Sequence, residues 1–223
     1  MKNEIITING KEFEYSPEKL SYETSVHLNV IEARENLLLF KKIADSHNFS
    51  FLLFYGTLLG AIRENDFIKH DIDIDIVTND ENKLLEIIPD LLKNDFSFIR
   101  YEKNKSQKSY TTLYSFRRKS VYIDVYIAYK EKRKYNLLGV LIKKDFIENT
   151  IKYNFIDTDF FIPKNYLKIL KILYGKTWRI PIENLPGDFK GRKSFISFIR
   201  KIVPKKIKTK IKEILSFINI TFH

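Results

Sequence analysis

Residues 71–76 read Asp-Ile-Asp-Ile-Asp-Ile, and the alternation continues through Val-Thr to residue 78. A strict period of two predicts a β-strand, because successive side chains of a strand point to opposite faces. Asp71, Asp73 and Asp75 would line one face about 6.6–6.8 Å apart, with the isoleucines facing the core. A row of like charges resists burial unless a cation, basic partners or water compensates it. The stretch therefore predicts a cation site, or else an exposed edge strand whose charges discourage aggregation.

A glycine and a threonine mark the end of an apolar run just upstream. Residues 49–55 are suited to a buried strand, Gly56 ends the run, and residues 57–63 have helical character. We expect Thr57 to be the N-cap of this helix. Free backbone N–H groups at a helix start bind phosphate, and a glycine permits close approach. Gly-Thr alone is ordinary turn chemistry, but this pair stands fifteen residues before the carboxylates.

A lone aspartate interrupts a second apolar stretch. Residues 121–127 read Val-Tyr-Ile-Asp-Val-Tyr-Ile, with Asp124 at the centre. Asp124 could be a core carboxylate whose hydrogen bonds are satisfied. Beside the strand of residues 71–78 it would instead add an acidic group, either as a metal ligand or as the base that activates an acceptor hydroxyl. Mg²⁺ is the expected cation, because it takes carboxylate oxygens and bridges them to phosphates, and Mn²⁺ is the alternative.

The rest of the chain predicts an α+β fold in which a mixed sheet is flanked by helices. The expected elements are a hairpin at Asn9–Gly10, a helix over 30–47, a helix from Asn79 or Asp80 to Leu92 that bends or ends near Pro89, strands over 96–102, 110–117 and 121–129, a hairpin turning at 157–159, and a helix over 165–174 ended by Gly175.

Composition limits the class of protein. The chain has 223 residues, 44% hydrophobic and 30% charged, and no cysteine, so disulfides and thiolate metal sites are excluded. We see no secretory signal and no apolar stretch of about 20 residues that could span a membrane. Together these features predict a cytoplasmic protein.

The net charge of +11 is concentrated in the last residues. Residues 190–223 hold ten Lys or Arg and one acid, whereas the remainder holds 29 basic and 27 acidic residues. A nearly neutral body argues against long nucleic acid as partner. We therefore predict a catalytic domain over 1–189 and a basic amphipathic helical tail over 190–223. Two apolar stripes predict that 192–223 lies on an anionic membrane surface, which would place the protein on the inner face of the membrane; the alternative is a helix packed on the domain.

Several motifs together resemble the LicD family, which includes the fukutin-related proteins. The similarity covers roughly residues 30–185 and rests on residues 56–63 (GTLLGAIR), Phe67–Ile68, residues 71–75 (DIDID), residues 123–125 (IDV), Tyr166–Leu167, residues 173–175 (LYG), Trp178 and Pro181. The family has a nucleotidyltransferase-type fold, and its characterised members transfer a phospho-alcohol such as phosphocholine or ribitol phosphate from a CDP donor to a glycan.

The resemblance implies a role for each matching residue. Asp73 and Asp75 match the family's metal-binding pair, and Asp71 matches the acidic position before it. Asp124 matches the acidic residue on the later strand, which makes it the third expected metal ligand. Three further residues match the phosphate side of the family site: Gly56 and Thr57 at the turn, and Arg63, which is expected to face the donor phosphate.

The resemblance also implies a reaction. It is the transfer of a phosphocholine-like group from a CDP-alcohol to a hydroxyl of a cell-surface glycan or of its lipid-linked precursor. One departure stands beside the carboxylates: the family often has Pro-Trp-Asp-Asp-Asp where this chain has Lys-His-Asp-Ile-Asp at 69–73. A nucleotidyltransferase that moves NMP to a small molecule or protein, and a non-catalytic relative that binds glycan or membrane, remain the alternatives.

Overall fold

The computed structural model describes residues 4–20, 27–106, 109–137 and 140–181. The strands are β1 (Glu4–Ile8), β2 (Lys11–Tyr15), β3 (Leu52–Leu53), β4 (Ile74–Thr78), β5 (Ser97–Ser106), β6 (Ser109–Arg118), β7 (Val121–Ile127), β8 (Tyr129–Glu131), β9 (Lys134–Leu137), β10 (Val140–Lys143), β11 (Thr150–Phe155) and β12 (Thr158–Pro163). The helices are α1 (Val30–Ser46), α2 (Tyr55–Arg63), α3 (Glu81–Lys93) and α4 (Tyr166–Tyr174), with a 3₁₀ turn at Lys144–Phe146.

Seven strands form one mixed sheet in the order β11-β12-β3-β4-β7-β6-β5. The central pair, β4 and β7, is parallel, and so is the contact of β12 with β3, whereas the other neighbours are antiparallel. Every residue of β4 and β7 is buried, as expected for strands covered on both faces. The predicted α+β class with a mixed sheet flanked by helices is confirmed.

The two long helices, α1 and α3, each begin at a capping side chain and bury an apolar face. Asn29 and Asp80 accept hydrogen bonds at the first turns of α1 and α3, which satisfies backbone N–H groups that a helix start leaves unpaired. Of the two predicted starts of this helix, Asn79 and Asp80, Asp80 is the cap. The helix does not end at Pro89 but continues to Lys93, because an apolar face that includes Ile88 and Leu91 is fully buried and outweighs one lost backbone hydrogen bond.

Three predicted turns form where the chain adopts a left-handed backbone. Asn9 and Gly10 both have positive φ, at 49° and 79°, and close the β1–β2 hairpin. The β11–β12 hairpin turns at Ile156 and Asp157, slightly earlier than the predicted 157–159. Gly175 ends α4 with φ 84°, as predicted.

The predicted strand over 71–78 is too long. Only Ile74–Thr78 pairs in the sheet, because Asp71 lies in a turn: its N–H donates to the carbonyl of Ile68, and its Oδ1 accepts from the N–H of Ile72. Local bonds of this kind compete with the strand ladder. Ile72 is consequently half-buried and is not among the buried core residues.

Two other predicted strands are also shorter. The apolar run at 49–55 contributes only Leu52–Leu53 to the sheet, and the run at 121–129 divides into β7 and β8. The division falls at Ala128, whose N–H donates the last bond of the β4–β7 ladder to the carbonyl of Thr78, the residue at which β4 ends. Residues 182–223 lie outside the described residues, so the domain boundary at 189/190 and the membrane-binding tail remain predictions. Among the helices that the structure describes, none combines the length and apolarity needed to cross a bilayer.

Candidate active site

Three aspartates converge where β4 and β7 run side by side. Asp75 and Asp124 are register neighbours in this parallel pair, and Asp73 stands two residues before Asp75. Oxygen atoms of the three carboxylates lie within 4.8 Å of one another. Asp73 is only 5% exposed, Asp75 6% and Asp124 0%. Buried oxygen ligands at this spacing fit a hard divalent cation, which would offset their mutual repulsion.

The start of α2 is fastened to the same strand by three hydrogen bonds. The backbone N–H of Gly56 donates to Asp75 Oδ2 at 3.0 Å, and the N–H of Phe54 donates to the carbonyl of Asp75 at 3.1 Å. The N–H of Asp75 donates to the Thr57 hydroxyl at 2.8 Å. The prediction that Thr57 is the N-cap is therefore wrong: Phe54 occupies that position, and the Thr57 side chain, 1% exposed, fixes the backbone of Asp75.

Tyr55 makes the turn from β3 into α2 in a left-handed conformation. Its φ is 39°, which is uncommon for a residue with a bulky side chain. The ring packs against Phe54 at 5.0 Å and against Tyr126 at 5.1 Å between centroids. Because Tyr126 is two residues from Asp124 on β7, this packing ties the strained turn to the strand that carries the third carboxylate.

Gly56 leaves room for a fourth carboxylate. A Cβ at this position would lie 2.2 Å from Asp71 Oδ2 and 3.3 Å from Asp75 Oδ2. The side chain of Asp71 is therefore packed against the glycine at the rim of the site. Asp71 is half-buried and lies outside the group formed by Asp73, Asp75 and Asp124.

We expect Gly56→Ala to weaken Mn²⁺ binding by about 10–100-fold, the usual cost of disturbing groups that orient metal ligands. The added methyl group must displace Asp71 and shift the N–H that holds Asp75. Mn²⁺ titration followed by electron paramagnetic resonance measures the affinity. Gly10→Ala is the matched control, because its positive φ strains the hairpin without approaching the site. Equal Mn²⁺ affinities in the two variants would contradict the role of Gly56.

A polar row extends from the carboxylates across four strands. Asp124 faces Ser115 in the β7–β6 register, and Ser115 faces Arg100 in the β6–β5 register. Arg100 Nη2 donates to Asp124 Oδ2 at 2.6 Å, the Ser115 hydroxyl donates to Asp124 Oδ1 at 2.6 Å, and Arg100 Nε donates to the Ser115 hydroxyl at 3.0 Å. The Tyr126 hydroxyl adds a longer bond to Asp124 Oδ2 at 3.4 Å. Asp124 is thus a fully buried carboxylate with a fixed orientation.

A β-bulge turns Arg100 toward this row. Phe98 pairs with Phe116, but the next partner of Ser115 is Arg100, so the register shifts by one residue at Ile99. Without the bulge Arg100 would share the face of Phe98, since alternate residues of a strand point the same way. Sequence reasoning missed Arg100 and Ser115, because the alternation of β5 gives no sign of the bulge.

Arg63 lies at the other end of α2. It is seven residues after Gly56, which is about 10 Å along the helix axis. Its guanidinium group pairs with Glu64 and donates through Nη1 to the carbonyl of Trp178 at 3.4 Å. The structure therefore does not bring Arg63 to the carboxylates, unlike Gly56 and Thr57.

A second polar cluster holds the opposite end of β4. Tyr114 and Tyr129 donate hydrogen bonds to Glu81, which begins α3, at 2.8 and 2.9 Å. Burial raises the pKa of Tyr114 and of Tyr129 well above the usual tyrosine range, and the charge of Glu81 adds to both shifts. Both phenols therefore remain protonated donors, which suits a structural role in anchoring α3.

Comparison with known proteins agrees with this geometry. Residues 48–165 match the family described as LicD/FKTN/FKRP, nucleotidyltransferase domain, a span that includes all four aspartates. The chain belongs to this LicD family. The recognition made from the motifs is confirmed, and so is the nucleotidyltransferase-like fold class. Membership of the LicD family points to a transferase of the phosphotransferase or nucleotidyltransferase type.

Individual relatives are more distant. The chain is 27% identical over 167 residues to the uncharacterized protein RP689 of Rickettsia prowazekii (strain Madrid E), which covers 71% of this chain and 56% of RP689. It therefore spans little more than half the length of that relative. Two structures of ANT(2″)-Ia are also similar. The solution structure of this antibiotic-resistance factor has a TM-score of 0.46 and 11% identity, covering 81% of this chain and 89% of that one. The crystal structure with adenylyl-2″-tobramycin has a TM-score of 0.44 and 14% identity, covering 82% of this chain and 97% of that one.

Proposed function

We propose that this protein transfers a phosphocholine-like phospho-alcohol from a CDP-activated donor to a hydroxyl group of a cell-surface glycan or of its lipid-linked precursor, with Mg²⁺ as cofactor and Mn²⁺ as the alternative. The observation that carries the proposal is the convergence of three buried carboxylates beside the start of α2. In a member of the LicD family, such a group supports phosphoryl-transfer chemistry, which depends mainly on positioning and charge neutralisation.

Asp73, Asp75 and Asp124 are the residues that would hold the cation. Mg²⁺ bound there would neutralise charge on the phosphate oxygens of the donor. The two oxygens of Asp124 already accept short hydrogen bonds from Arg100 and Ser115. This arrangement suits a fixed ligand better than a base, which must take up a proton during the reaction. We therefore assign Asp124 to metal binding.

The start of α2 provides positive potential at the same place. The N–H of Gly56 points at the Asp75 carboxylate, and the partial positive charge of the helix N-terminus is directed at the group. This potential stabilises the ionised carboxylates and would also favour the donor phosphates. Thr57 contributes by fixing the backbone of Asp75 rather than by contacting a ligand.

Asp71 is the carboxylate that we assign to proton transfer. It is half-buried at the rim, whereas the other three aspartates are buried, so it is the one that an acceptor hydroxyl can approach. The acceptor oxygen would form a bond to the β-phosphorus of the donor as the bond between that phosphorus and the CMP oxygen breaks. CMP leaves, and the proton of the acceptor hydroxyl passes to Asp71.

A lipid-linked acceptor would suit a protein on the inner face of the membrane. The predicted contact through 192–223 lies outside the described residues and is part of the proposal. Removal of 192–223 is expected to abolish binding to anionic liposomes, and unchanged flotation with the liposomes would refute the membrane contact.

The product of the reaction tests the proposed function. We expect purified protein with Mg²⁺ to release CMP from one member of a panel containing CDP-choline, CDP-ethanolamine, CDP-ribitol and CDP-glycerol. Hydrolysis by water, with no acceptor present, should be slow but measurable by chromatography. Release of pyrophosphate from a nucleoside triphosphate, with no CMP from any CDP-alcohol, would instead support the nucleotidyltransferase alternative.

A further inference from the structure

Trp178 brings two arginine side chains together at the end of α2 that points away from the carboxylates. Its carbonyl oxygen accepts the hydrogen bond from Arg63 Nη1 at 3.4 Å, and the guanidinium carbon of Arg179 lies 4.3 Å from the centroid of its ring. Trp178 itself is 5% exposed and belongs to the hydrophobic core. One fixed residue therefore holds both cations, which lowers the entropy that a ligand would lose in ordering them.

The two arginines face a cleft of about 370 Å³, a size that can hold a small ligand. We call it the Trp178 cleft. It is lined by Ile62, Arg63, Tyr153, Tyr166, Leu167, Trp178 and Arg179. These residues come from α2, β11, the first turn of α4 and the segment after α4, and no carboxylate is among them. Arg63 is already paired with Glu64, which is not a lining residue, so Arg179 is the cation whose charge is left to favour an anion in this concave surface.

The Trp178 cleft also has an exposed apolar side chain. Leu167, which lines it, is 47% exposed, and burying it against a ligand would be favourable because its apolar surface would leave water. The anionic part of a ligand would meet Arg179, and an apolar part would cover Leu167.

We propose that the Trp178 cleft binds a phosphate or diphosphate group carried on an apolar chain. Guanidinium groups match phosphate oxygens in a planar, two-point geometry that a carbohydrate hydroxyl does not offer. Leu167 then packs against the first part of the apolar chain.

The cleft is distinct from the reacting centre. Arg63 is separated from Gly56 by about 10 Å along α2, so one phosphorus cannot contact both places at once. The inference rests on the proposed function in one respect: a lipid-linked acceptor would present its phosphate to the Trp178 cleft and its hydroxyl group to the carboxylates. Binding at the cleft itself requires neither metal nor donor.

Dihexanoyl phosphatidic acid, used as dispersed monomers, is the probe that tests this site. Isothermal titration of the full chain in EDTA is expected to show binding that Arg179→Gln weakens about tenfold, the loss expected for a charge-assisted contact. Arg133→Gln is the matched control, since Arg133 is an exposed arginine of a separate basic cleft. Leu167→Asn should also weaken binding, and because Leu167 is exposed, the variant should unfold at the same temperature as the wild type. Asp73→Asn should bind the probe like the wild type.

Several results would overturn the proposal. Equal affinity in the wild type and Arg179→Gln would show that Arg179 does not contact the ligand, and equal affinity for dihexanoylglycerol, which lacks the phosphate, would show that the phosphate is not recognised. If inorganic pyrophosphate bound as tightly as the probe, the apolar chain would not contribute to binding. Displacement of the probe by CDP-choline in EDTA would assign the cleft to the donor. None of these results depends on CMP release, so failure of the proposed function and failure of this site are separable.

Discussion

Arg100→Met is expected to lower the free energy of unfolding by about 3–5 kcal/mol, the cost of leaving a buried charge without its partner. Asp124 is fully buried, and the Arg100 side chain, 14% exposed, donates to it at 2.6 Å. Urea denaturation monitored by tryptophan fluorescence measures the change. Arg34→Met is the matched control, because the Arg34–Asp66 pair is 37% and 39% exposed and should contribute no more than about 1 kcal/mol.

The double variant Arg100→Met/Asp124→Asn separates this ion pair from simple loss of packing. Removing both charged partners eliminates the unpaired carboxylate, so the double variant should be more stable than Arg100→Met alone. If Arg100→Met loses no more stability than Arg34→Met, the buried pair does not hold β5 and β7 together as described.

Asp73→Asn is expected to cause the largest loss of function, yet to raise the stability of the metal-free protein. Loss of one carboxylate ligand should lower Mn²⁺ affinity and reduce CMP release at least about 100-fold. The metal-free variant should nevertheless melt at a higher temperature than the wild type, because two like charges remain in the buried group instead of three.

Asp71→Asn is the control that tests how the four aspartates divide their roles. Asp71 lies at the rim, outside the group of three. Its variant should bind Mn²⁺ within about threefold of the wild type but release CMP slowly, since general-base assistance contributes roughly 10²–10⁴-fold. Loss of Mn²⁺ binding in Asp71→Asn would make this residue a ligand, and unchanged CMP release would exclude it as the proton acceptor.

The elements that carry the site were predictable because their signals are local. Alternation marks β4, an isolated aspartate marks β7, and a glycine marks the start of α2. The strand bounds were less accurate, because the Asp71 side chain bonds to the N–H of Ile72 and because β4, the partner of β7, ends at Thr78. Hydrogen bonds of this kind depend on neighbours that alternation does not reveal.

The parts of the site that depend on pairing between distant residues were not predictable. The bulge at Ile99 is defined by the register of β5 against β6, and it alone brings Arg100 to Asp124. The Thr57 hydroxyl looked free to cap α2, yet β4 supplies its partner. Arg63 belongs to the family motif, but the length of α2 carries it away from the carboxylates toward Trp178.

A crystal of the full chain grown with Mn²⁺ and a CDP-alcohol would test the central claim most directly through its anomalous difference map. The predicted result is a manganese peak bound by carboxylate oxygens of Asp73, Asp75 and Asp124, with the donor phosphates beside it and the Arg100–Asp124 pair intact. A peak elsewhere, or a donor bound away from these three carboxylates, would contradict the assignment of this group as the active site.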